Sequence, residues 1–133
     1  MPDITGFSHV ALTVTDVDQS FEWYERLLGI QKLFEGEEKG IRFCVTMHAS
    51  SMVILGFRHH QATAEERFDE ARVGLDHFAF QVPDMAAMEE WLRRLDELGI
   101  EHSEIKDTDY GSVLTFRDPD NIQLEFFVLP GGA

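Results

Sequence analysis

Two histidines and a glutamate are the side chains of this sequence best placed to do chemistry. His9 lies in GFSHVALTV and His77 in GLDHFAFQV, 68 residues further on, while Glu125 interrupts the apolar run NIQLEFFVL. A carboxylate in such a run is costly to bury unless a cation pairs with it, and a cation near two imidazoles would do so. Two neutral imidazoles and one carboxylate make a facial site of the kind used by non-haem Fe(II), with further positions open to water or substrate. Fe(II) or Mn(II) is the expected ion, with Zn(II) or Ni(II) as alternatives. The open positions would let a small organic substrate chelate the metal directly.

Two more residues could assist. Tyr110, in DTDYGSV, could orient or protonate a substrate oxygen, although a surface loop explains it equally well. His48 closes a strand-like run and could serve as acid or base, or stand at a sheet edge. His59 and His60 lie in a polar connector, where a second metal site lacks any recognisable partner spacing.

The elements that must position these groups are duplicated. Gly6 to Leu27 aligns with Gly74 to Leu95, and nine of 22 positions are identical, His9/His77 and Trp23/Trp91 among them. Chance would give about one or two matches at ordinary residue usage. Apolar alternation predicts a strand over 7–15 and a helix over 16–28, capped by Asp16 or Asp18 and closed by Gly29. Strands follow near 31–36, 41–48 and 52–58. The second half repeats the order, with a strand over 75–82, a helix over 84–98 and strands near 101–106, 112–117 and 122–129. Asp118 to Asn121 forms the last turn, with Asn121 able to take a left-handed backbone.

Module one thus spans 6–58, a connector 59–73 and module two 74–129. Thr63 to Glu66 has capping-box spacing, so a short helix is expected there. The reading is one α+β domain of two tandem βαβββ modules, forming a cup-shaped mixed sheet with helices on the outer face. Trp23 and Trp91 should cover sheet faces.

Side chains alternate on strands, so His9 shares a face with Ala11 and Thr13, away from Val10, Leu12 and Val14. His77 likewise sits with Ala79 and Gln81, so both histidines should face the concave side. Gly29/Gly99 and Ile30/Ile100 set an offset of 70 for the later strands. Carried to the last strand of each module, that offset pairs Leu55 with Glu125.

Composition narrows the partners. With 11 basic against 25 acidic residues the formal charge is −14, which opposes attraction to nucleic acid or an anionic membrane and suits a neutral or cationic small ligand. The single Cys44 has no partner for an internal disulfide, and no apolar run approaches the ~20 residues of a membrane span. A cytoplasmic protein is expected.

The motifs HVALTVTDVDQSFEWYERLLG, GLDHFAFQV and FRDPDNIQLEFF resemble the vicinal oxygen chelate superfamily, also called the glyoxalase/bleomycin resistance/dioxygenase family, over nearly the whole chain. The resemblance implies a divalent metal held by His9, His77 and Glu125, a homodimer, and ligands drawn from one subunit or two. Glyoxalase I-like members carry a fourth ligand, usually Glu, at the place read here as Leu55, which argues against that isomerisation. The three-ligand set is similar instead to extradiol dioxygenases and fosfomycin-type thiol transferases. The former usually need a longer chain. The latter have a hydroxyl residue where Ala11 stands and a basic residue beyond the last ligand, where LPGGA has none. A lyase, dioxygenase or transferase acting through vicinal oxygens is one reading. The other is a metal-free binder of bleomycin-resistance type that sequesters a hydrophobic or cationic natural product.

Overall fold

An aspartate starts each helix. Asp16 accepts the Gln19 amide at 3.0 Å and opens the helix Val17–Leu28, while Asp84 accepts the Ala87 amide at 2.8 Å and opens the helix Met85–Glu97. These caps satisfy amides that have no partner within the first turn. Gly29 ends the first helix in the left-handed region, at φ 72°, as expected.

The computed structural model describes residues 1–63 and 65–131 and divides the chain into two units, Met1–Glu66 and Arg67–Ala133. The first unit runs β1 (Val10–Thr13), α1 (Val17–Leu28), β2 (Gln31–Glu38), β3 (Ile41–Met47) and β4 (Ile54–His59), and the second runs β5 (Phe78–Gln81), α2 (Met85–Glu97), β6 (Lys106–Thr108), β7 (Gly111–Arg117) and β8 (Gln123–Val128). The expected α+β class and βαβββ order hold. Each module has a four-stranded mixed sheet of its own, ordered β1-β4-β3-β2 and β5-β8-β7-β6. The first strand of each runs parallel to the last, and the other pairs are antiparallel.

Strand alternation sets the cores. Leu12 and Val14 are buried while Ala11 and Thr13 are exposed. In the first unit Tyr24 of α1 lies against Phe57 of β4, ring centroids 5.0 Å apart. In the second, Trp91 of α2 stacks on Phe126 of β8 at 4.4 Å, and Phe116 stacks on Phe126 at 5.0 Å. Trp91 therefore covers its sheet as expected, whereas Trp23 stands edge-on to Tyr24 and leaves the sheet face to that ring. Each fully buried ring contributes ~1.5–3 kcal/mol by leaving water. Cys44 is a free thiol in the first core, and burial pushes its pKa up.

Two expected elements are placed differently. The strand near 101–106 is reduced to an isolated bridge at His102 and the short β6. Side chains take over the backbone groups there: His102 Nδ1 donates to the Ser103 carbonyl at 2.7 Å, and the Thr115 amide donates to Ser103 Oγ at 3.0 Å. In the connector the observed element is a 3-10 turn, Gln61–Thr63, which ends where the capping-box helix was expected to begin, and Ala64 of that box lies outside the described residues. Among the described residues no helix is long and apolar enough to cross a membrane.

Candidate metal centre

His9 and His77 each stand one residue ahead of a parallel ladder, which begins with Val10 opposite Leu55 in one unit and Phe78 opposite Leu124 in the other. At this entrance the imidazole is exposed on the face shared with Ala11 or Ala79, as alternation requires. In the second unit Ala79 is the register partner of Glu125. His77, two residues before Ala79 on that face, therefore reaches across to the neighbouring strand. His77 Nε2 stands 3.4 Å from Glu125 Oε1.

The other nitrogen of His77 is engaged by Asp76, Nδ1 to Oδ1, at 2.6 Å. A carboxylate oxygen accepts this contact, so Nδ1 carries the hydrogen, and Nε2 is the nitrogen turned toward Glu125. A cation placed between Nε2 and Oε1, 3.4 Å apart, would be held by both. Donors ~2.1 Å from one ion stand ~3.0–3.4 Å apart at octahedral to tetrahedral angles, so this pair fits one edge of a coordination shell. Glu125 is the carboxylate such a site would want: its side chain is only 15% exposed.

His9 belongs to the first unit, where its Nδ1 lies 2.9 Å from Ser8 Oγ. Among the described residues no group of three or more His, Cys, Asp and Glu side chains is gathered to hold a metal. The structure thus brings together two of the three expected ligands. His48 lies in the turn after β3, with Nδ1 2.7 Å from Ser51 Oγ. Tyr110 is 81% exposed in the tight turn between β6 and β7. Gly111 makes that turn possible, because its φ is +139° and a Cβ there would run into the Val128 carbonyl.

Leu55 is not the counterpart of Glu125. Ala11 pairs with Gly56 as Ala79 pairs with Glu125, and Val45 pairs with Gly56 as Thr115 pairs with Glu125. Leu55 corresponds to Leu124, and both are fully buried on the opposite face. The reason is one extra residue in a turn: six residues separate Met47 from Ile54, whereas five separate Arg117 from Gln123. The offset of 70 holds up to that turn and becomes 69 beyond it. The position that could supply a fourth ligand is filled by Gly56, which has no side chain to offer.

Sequence reasoning also missed Asp76 and the residues behind it. Gln123 Nε2 donates to Asp76 Oδ1 at 3.3 Å, and Arg117 Nη2 donates to Gln123 Oε1 at 3.0 Å. Arg117 in turn grips Glu70 through both oxygens, at 2.7 and 2.9 Å. The Arg117 hydrogen bonds hold the Glu70 carboxyl down at about 2. An open cleft of about 500 Å3 lies over this arginine and is lined by Arg67, Phe68, Asp69, Glu70, Arg72, Arg117 and Asn121, without His77 or Glu125. The available signal for Asp76 was its place: Ser8 and Asp76 precede the two histidines at matching repeat positions.

The model of the Glyoxalase/Bleomycin resistance protein/Dioxygenase superfamily matches residues 6–126. The chain belongs to that superfamily. A solved glyoxylase/bleomycin resistance protein/dioxygenase domain from Frankia sp. EAN1pec is similar at 33% identity and a TM-score of 0.90, covering 98% of this chain and 96% of that one. The fosfomycin resistance protein FosX from Listeria monocytogenes shares the fold at 20% identity and a TM-score of 0.72, covering 94% of both chains. A FosX variant from the same organism, solved with Mn(II) and 1S,2S-dihydroxypropylphosphonic acid, has 18% identity, a TM-score of 0.71 and coverage of 94% and 90%. No curated protein matches the sequence.

Proposed function

We propose that this superfamily member is a metal-dependent enzyme in which His9, His77 and Glu125 hold one divalent ion, Fe(II) or Mn(II) before Zn(II) or Ni(II), and which acts on a small organic substrate through vicinal oxygens. The observation that carries the reading is the 3.4 Å approach of His77 Nε2 to Glu125 Oε1, with Asp76 holding the hydrogen on the opposite nitrogen. When bound, the ion supplies Lewis-acid stabilisation of developing negative charge on a substrate oxygen.

The chain's own residues do the rest. Asp76 keeps the His77 lone pair aimed at Glu125. Glu125, anchored mid-strand opposite Ala79 and Thr115, supplies the negative charge. Ala11 and Gly56 beside His9, and Ala79 beside His77, put little or no side chain on the face each histidine shares. The lack of a carboxylate at Gly56 argues against glyoxalase I-type isomerisation, since that fourth ligand also carries the proton. Tyr110 and His48 stand as candidate proton carriers. Lyase, dioxygenase and transferase chemistries all suit a three-ligand open site. The superfamily resemblance adds a homodimer, with the ligands supplied by one subunit or by two, and the single cysteine and lack of a long apolar run carry the expectation of a cytoplasmic protein.

A metal-free binder is the second reading. It is favoured by the formal charge of −14 and the phenylalanine-rich strands. In it the pocket takes a hydrophobic or cationic natural product without a metal.

Titration of metal-stripped protein with Mn(II), followed by the electron paramagnetic resonance signal of the free ion, tests the choice. One ion per chain is expected, with binding weakened at least ~100-fold in His77→Ala and in Glu125→Gln. Absent binding, or binding indifferent to both changes, would sink the metal reading in favour of the binder.

A further inference from the structure

We infer that Asp76 is a positioning residue that selects the nitrogen His77 presents, and that Gln123, Arg117 and Glu70 hold Asp76 in place for that role. Its effect on metal affinity rests on the reading above, but its effect on the imidazole does not. Histidine has two neutral tautomers, and a strand alone does not choose between them. Asp76 Oδ1, 2.6 Å from Nδ1, chooses by accepting only.

The chain behind Asp76 has one consistent direction. Arginine donates and never accepts, so Arg117 forces Gln123 to turn its carbonyl oxygen inward and its amide nitrogen toward Asp76. Glu70 fixes the guanidinium by a two-pronged contact, the geometry that best immobilises an arginine. Arg117 also donates to the Asn121 carbonyl at 3.1 Å, which ties the chain to the turn preceding the strand of Glu125. Five side chains thus lead from the connector to the ligand nitrogen of His77. In the first unit Ser8, at 2.9 Å from His9 Nδ1, can either donate or accept. His9 is left free to choose, and His77 is not.

The test is nitrogen-15 NMR of the His77 ring in metal-free protein at a pH of about 8.5, two units above the ordinary imidazole value. Wild-type protein is expected to show Nδ1–H with an unprotonated Nε2. Asp76→Ala should convert His77 to the Nε2–H tautomer, donating to Glu125. Asp76→Asn keeps an accepting oxygen and should keep the Nδ1–H form, a rescue that loss of charge alone would not give. In Mn(II) titrations Asp76→Ala should weaken binding by about 10–100-fold and Asp76→Asn by less. An Nε2–H tautomer in wild-type protein, or an unchanged tautomer in Asp76→Ala, would overturn the assignment. A changed tautomer with unchanged Mn(II) affinity would uphold Asp76 as the selector and overturn only its effect on the metal. Wild-type protein that binds no Mn(II) yet shows the tautomer switch would instead overturn the metal reading and uphold Asp76 as the selector.

Discussion

Position for position, the first module carries Ser8, Thr46 and Gly56 where the second carries Asp76, Phe116 and Glu125. The backbone register around them is the same in both sheets. Duplication has therefore preserved the scaffold and let the side chains diverge in two layers. On the buried face the second module built an aromatic stack of Trp91, Phe126 and Phe116. The first kept Thr46, which is fully buried and donates to the Leu55 carbonyl at 2.9 Å. On the open face the second module gathered the carboxylates. Ladder hydrogen bonds specify where a side chain stands, and they are indifferent to what it is.

The core comparison gives the largest expected effect. Phe126→Ala should cost ~4–5 kcal/mol, because it strips the stack of its centre, while Phe57→Ala should cost ~3–4 kcal/mol, since its described ring partner is Tyr24 alone. Urea unfolding of both variants measures this, and equal losses would show that the aromatic stack adds nothing.

On the open face, Gly56→Glu restores the symmetry. A Cβ at Gly56 meets Ala11 Cβ at an ordinary 3.5 Å, but the position is buried, so the metal-free variant should melt lower and regain stability with Mn(II). A carboxylate there is expected to tighten Mn(II) binding about tenfold, and unchanged or weaker binding in a calorimetric titration would separate the two ligand positions.

The two turns offer a smaller contrast. Met52 and Asn121 occupy matching places with φ of 62° and 70°, but only asparagine is at ease in the left-handed region. Met52→Asn should stabilise by ~0.5–1 kcal/mol, read as a rise in melting temperature; a fall would mean that the methionine side chain holds the turn.

The smallest effect concerns pH. His102 and Lys32 occupy equivalent places, opposite Phe116 and Thr46. The Ser103 carbonyl and then Asp96 raise the His102 pKa above 6.5. The folded state thus favours the charged ring, so its contribution is full below 6.5 and fades as pH rises through the raised value. His102→Gln should therefore destabilise more at pH ~5.5 than at pH ~8.5, by ~0.5 kcal/mol, whereas Lys32→Gln should show no such slope. Chemical denaturation at the two pH values distinguishes them.

Much of this was legible in the sequence because it is governed by local rules. The cap at Asp16, the left-handed Gly29 and Asn121, and the faces of His9 and His77 follow from neighbours a few residues away. Leu55 was misread as the partner of Glu125 because alternation is unforgiving. One residue added to the turn between Met47 and Ile54 flips every later side chain to the other face, and identity counts do not register it. His102 and Ser103 broke an expected strand because their side chains satisfy backbone groups that a ladder would otherwise use. Asp76 was missed for another reason: its role comes from Gln123 and Arg117, 47 and 41 positions away in sequence, which only the folded sheet brings near.

Gly56 bears finally on ancestry. Glycine and glutamate codons can differ by a single base, and the backbone at this site has room for a Cβ. On the proposed reading, a single base change here would supply the fourth ligand on an unchanged frame. Gly56 marks where a lineage could gain or shed a chemistry without rebuilding its fold.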